Sequence, residues 1–165
     1  MTIQQIHDLA VKMGMETDLR GPKVVRKVLE RAKVRHDRTA PKDRWELDAE
    51  ALINPYLDSR ILFDAKREVK KVLAGIDIQP GEVVIAKELG CDLVIGHHPI
   101  GEGLADLHDV MHLQADVMAM YGMPINIAEA LMRERISEVA QGVSASNHHR
   151  TVDAARLLKV GLMCT

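Results

Sequence analysis

The apolar positions near the start of the chain recur three and four residues apart. Ile3, Ile6, Leu9, Ala10 and Met13 fall on one face of a helix, with Thr2 placed to cap it. Gly21-Pro22 interrupts the pattern. Val24, Val25, Val28, Leu29 and Ala32 then mark the inward face of a second amphipathic helix over 23–38. Residues 39–56 read as a loop and a short helix ended by Asn54-Pro55. From Arg60 the grammar changes. Residues 59–63 and 68–78 predict strands. Pro80 opens a helix that Gly90 closes. Residues 91–99 predict a strand, about 104–121 a helix closed by Gly122, and 123–130 another strand. Helices follow over 130–142 and 149–159, and a last strand begins at Val160.

That order predicts an α/β fold: a parallel or mixed sheet with helices on both faces, preceded by a helical N-terminal segment. The expected division is a helical segment over 1–58 packed on an α/β domain over 59–165. At 165 residues the chain can bury one real core.

Composition narrows the functional classes. Aromatic residues make up only 2% of the chain, so the core is expected to be aliphatic, with nine Met as filler. The Met-rich stretch 110–120 is read either as core or as a subunit face. A net charge of −2 offers no basic field for nucleic acid or an acidic membrane surface. The surplus of Lys and Arg over 23–38 is read as a solvated face. Cys91 and Cys164 stand far apart with no partner motif, as in a reducing, cytoplasmic setting. The first residues lack the apolar stretch of a signal peptide, and no apolar run approaches the ~20 residues of a membrane span.

Histidine carries the candidate chemistry. His97 and His98 end the apolar run "DLVIG" and precede Pro99. In open parallel sheets, ligands bind outside the carboxyl ends of the strands. Neutral imidazole is the commonest metal ligand. On extended backbone the two rings would diverge toward two ions, and a turn at Pro99 would let them share one. The plainer alternative is two polar residues starting a loop. His108 and His112 are spaced i, i+4 around Asp109, a faint likeness to H-E-x-x-H with the shorter acid. Glu129 falls near the end of the strand expected over 123–130. It is a candidate catalytic carboxylate able to bridge two cations, or else a helix-start acid. Asn147, His148 and His149 precede the 149–159 helix. His149 and Asp153 share a face there, as ligands or as cap and first-turn acid. Imidazole with carboxylate suits zinc, iron, manganese or nickel. No nucleophile elbow, P-loop or G-x-G-x-x-G is present.

"GIDI", a following helix and then "DLVIGHHPIGEG" resemble the NGG-interacting-factor-three-like family, also described as GTP cyclohydrolase I type 2 homologues. The resemblance covers about residues 69–165. It implies a dinuclear metal centre with His97 and His98 as ligands. It also implies an aspartate ligand from an H-x-x-x-D segment, a spacing that His149 and Asp153 satisfy. In the family that segment directly follows a strand, whereas here it lies on a predicted helix. The family's further His and Glu ligands have no counterpart in this sequence, which therefore resembles the family's N-terminal part. The implied activity is metal-dependent and hydrolase-like on an unknown small molecule, for which the family's description suggests a nucleotide or pterin-like heterocycle. The implied assembly is a homo-oligomer. A non-catalytic scaffold or a metallocofactor-handling protein is the alternative.

Overall fold

The computed structural model describes residues 1–165, apart from the side chain of Glu46. Thr2 caps α1 (Ile3–Thr17): its Oγ1 accepts from Gln5 N at 3.2 Å, and Gln5 Oε1 accepts from Thr2 N at 2.9 Å. The inward face of α1 is the expected one at Ile3 and Ile6 but not farther along the helix. Ile3 and His7 are buried, while Leu9 and Met13 are about half exposed. Gly14 sits in the helix interior because a Cβ there would stand 2.9 Å from the Tyr56 ring. α2 (Pro22–Arg38) does bury Val25 and leaves its basic face in solvent, as expected. Two short 3₁₀ turns, Pro41–Glu46 and Ala49–Leu52, lead to the sheet.

Four strands form a mixed sheet in the order β1 (Arg60–Phe63), β4 (Gly161–Cys164), β3 (Leu93–Gly96), β2 (Val72–Gly75). β2, β3 and β4 run parallel and β1 pairs antiparallel with β4. The central strands read as continuous apolar runs because both their faces are covered. Leu93, Val94, Leu162 and Met163 are 0% exposed. One face packs against α3 (Pro80–Glu88) and α8 (Arg150–Leu158) through Val83, Ala86, Val152 and Ala155. The other face meets α1 through Ile3 and Ile6. Gly161 allows the tight approach of β4 to β3, since a Cβ there would stand 3.0 Å from the Asp92 carbonyl oxygen.

Between β3 and β4 the structure departs from expectation. No strand forms over 123–130. Residues Ile125–Ser144 are one helix, α7, entered at Pro124. The alternation of Ile125 and Ile127 suggests a strand, but Ala128, Met132 and Ile136 continue at the four-residue helical spacing. They pack on Ala115 and on Met111, Met118 and Met123. The helix expected over 104–121 is broken into α4 (Glu102–Ala105), α5 (Leu107–Val110) and α6 (His112–Met120). Met111 and Met118 therefore fill a small core between α6 and α7, and Met120 is the one of this group left half exposed. β2 ends at Gly75 rather than at Ile78.

Candidate functional site

β3 delivers His97 and His98 to the carboxyl end of the sheet. The backbone N–H of His97 donates to Gly75 O, and that of His98 to Ile76 O, both at 2.9 Å. These bonds carry the pairing past the end of β3 and hold both residues against the β2 side. The two rings lie with centroids 5.5 Å apart at an interplanar angle of 31°. The two imidazoles therefore stand side by side.

Asp77 completes the rim. Its Oδ1 lies 2.7 Å from His98 Nδ1, and both side chains are more than half exposed. A carboxylate only accepts, so Nδ1 donates, and in the neutral ring the lone pair stays on Nε2. That is the carboxylate–histidine pairing which orients an imidazole toward a cation. Local packing sets it. A Cβ at Gly96 would stand 3.2 Å, and one at Gly75 3.0 Å, from the Ile78 side chain. The two glycines leave room for Ile78 to bury itself at the strand ends, which seats its neighbour Asp77 beside His98.

A cavity of about 70 Å³ adjoins His98, lined among others by Asp77, Gln79, Asn147, His148 and Arg150. Arg150 Nη2 donates to Gln79 Oε1 at 2.9 Å, tying α8 to the start of α3. Asn147 and His148 thus reach the rim. His148 Nε2 is held 2.7 Å from Val143 O. The other sequence candidates do not converge there. His149 is exposed at the start of α8, and Asp153 is exposed and pairs with Arg156 at 3.4 Å. Glu129 is exposed within α7, where the expected strand does not form. His108 and His112 belong to separate helices, and the buried His108 Nδ1 has no hydrogen-bond partner among the described residues. Burial pushes the Cys164 thiol up to about 11, although the Ile100 backbone hydrogen bond opposes this. Cys164 therefore supplies no thiolate at neutral pH.

Among the described residues, no group of three or more His, Cys, Asp or Glu is gathered so as to hold a metal ion. Two imidazoles, one of them braced by a carboxylate, match the donor chemistry of a divalent first-row ion. They do not fit a closed dinuclear centre.

No family model matches the sequence, and no curated protein does. Among solved structures, the crystal structure of a NIF3 superfamily protein from Sphaerobacter thermophilus superimposes with a TM-score of 0.62 at 26% identity. The fold is NIF3-like. The match covers 84% of this chain and 45% of that one, so the chain spans less than half the length of its NIF3 neighbour.

A second polar cluster was not anticipated from the sequence. Asp18 and Arg20, whose side chains are each 6% exposed, form a double hydrogen bond after α1. Tyr56 Oη donates to Asp18 at 3.0 Å, and Arg20 Nη1 reaches Asp116 of α6 at 3.3 Å. Arg20 holds the Asp18 carboxyl down at about 2, against the opposing effect of burial. Burial, with the Asp18 carboxylate, pushes Tyr56 up to about 12. His7 is buried nearby, its Nε2 3.1 Å from Ser59 O and 3.3 Å from Glu50.

Proposed function

We propose that this NIF3-like chain binds a divalent metal ion at the His97–His98–Asp77 rim. The observation that carries the reading is the braced imidazole. Asp77 fixes His98 with Nε2 free, beside a second exposed imidazole, at the end of the sheet where α/β folds bind ligands. His97 and His98 are the ligands, and Asp77 orients His98. A bound divalent ion would supply Lewis acidity for hydrolysis. Further ligands from outside this set are required for a hydrolytic centre on a small molecule, and among the described residues neither Glu129 nor Asp153 is gathered with the two imidazoles.

The exposure of the rim favours a second reading, the handling of a metal or metallocofactor, because two open imidazoles exchange a cation readily. Calorimetric titration with zinc, manganese, nickel and ferrous iron tests the binding common to both. Binding to the wild type that disappears in the His97→Ala/His98→Ala variant is expected. Equal or negligible heats for both proteins overturn the proposal. Slow exchange of the bound ion would favour the hydrolytic reading over handling.

A further inference from the structure

His7, Asn54, Arg60 and Thr151 are the buried polar residues among those described. The first three are hydrogen-bonded within the protein. Thr151 is not. It is 4% exposed, and its hydroxyl makes no hydrogen bond among the described residues, where a buried hydroxyl nearly always has a partner. The one fully enclosed side-chain atom without a partner is His108 Nδ1, so the Thr151 oxygen is not sealed in the core. Its opening is the 70 Å³ cavity beside His98, which Thr151 lines.

Other donors converge on the same space. Asn147 and Arg150 line it with Thr151, so the start of α8 forms one wall. No side chain caps this nine-residue helix, and the N–H groups of its first turn remain available. Arg150 spends Nη2 on Gln79 Oε1 and keeps its other N–H groups. Asn147 Oδ1 accepts from His149 N, which leaves its amide NH2 as a donor. Asp77 is the only acid in the lining, and its Oδ1 is engaged by His98 Nδ1. A hydroxyl, main-chain N–H groups and a guanidinium around one small space make an anion site.

We propose that this cavity seats the phosphate group of a phosphomonoester substrate, held by the Thr151 hydroxyl, the first-turn amides of α8 and Arg150. Size and shape select that group. The cavity offers roughly two waters' share of liquid volume, enough for one tetrahedral group and too little for a ring. Donors on a helix end, a buried hydroxyl and a guanidinium suit several oxygens pointing in different directions, whereas a carboxylate presents two in one plane. The inference deepens the rim reading, on which it rests for the ion that would stand next to this phosphate.

Phosphorus and amide NMR on chelator-treated protein test it, with inorganic phosphate and methyl phosphate as the two probes at up to roughly 50 mM. The expected result is that both probes bind the metal-free wild type and shift the amides of Arg150 and Thr151. Thr151→Val and Arg150→Gln should each weaken binding at least about tenfold. If Thr151→Val fails to fold, the exposed Arg150 decides alone. No binding of either probe overturns the proposal, and so does affinity that survives Arg150→Gln at full strength. Binding of inorganic phosphate with rejection of methyl phosphate also overturns it, since the cavity would then hold a free ion. No metal enters this measurement, so its failure leaves the calorimetric result standing, and failure of the metal titration leaves this one standing.

Discussion

The seam around Asp18 and the rim around His98 are both built from a carboxylate and a cationic or cation-ready partner, and they are built to opposite ends. In the seam, Asp18 and Arg20 are almost fully buried, and their polar atoms are satisfied within the protein by each other, by Tyr56 and by Asp116. In the rim, Asp77 and His98 are exposed, and only Nδ1 of the imidazole is hydrogen-bonded among the described residues. Burying charges demands complete pairing, so the seam is committed to holding α1, α6 and the loop before β1 together. Exposure relaxes that demand and leaves the rim capacity for a ligand.

Substitutions sharpen this contrast. Asp18→Ala leaves Arg20 buried with Asp116 as its remaining carboxylate, and is expected to cost about 3 kcal/mol in urea unfolding. A loss under about 1 kcal/mol would mean that the seam behaves as a surface pair.

Acid is expected to reach the seam next. The folded-state pKa of Asp18 lies at about 2, below the ordinary value of 3.8. Its stabilisation is therefore present above 3.8 and is lost as pH falls from there toward 2. That loss amounts to about 2 kcal/mol, read from melts across the window. Asp18→Asn should flatten that part of the profile.

At the rim the order reverses, with small effects on stability and larger ones on binding. Asp77→Asn is expected to weaken metal affinity by roughly 10–100-fold, as the loss of an orienting carboxylate does. The same change should shift unfolding by no more than about 0.5 kcal/mol. Gly14→Ala is a control in the seam. Despite alanine's helix propensity it should destabilise, because the Tyr56 ring occupies the space of the new methyl.

Much of the sheet was legible because its central strands carry long apolar runs bounded by Gly and Pro. "DLVIG" and "VGLMC" have the length and apolar continuity of buried strands, and Pro80 and Gly90 frame α3 at both ends. The stretch 123–130 misled because Ile125 and Ile127 alternate, while the residues that decide its helix, Met132 and Ile136, lie beyond it. The imidazole doublet was legible for the same reason as its strand. Its brace was not: Asp77 lies 21 residues away from His98 and meets it only through the β2–β3 register. The Asp18 cluster had no local signal either, since Tyr56 is 38 and Asp116 is 98 positions from Asp18, or 96 from Arg20.

The most direct test is nitrogen NMR of the imidazoles during a zinc titration. With eight histidines in the chain, the account predicts that the ring nitrogens of His97 and the Nε2 of His98 move together, and that the other six rings stay in place. Unchanged resonances for His97 and His98, or a response centred on His108, His112 or His149 instead, would contradict it.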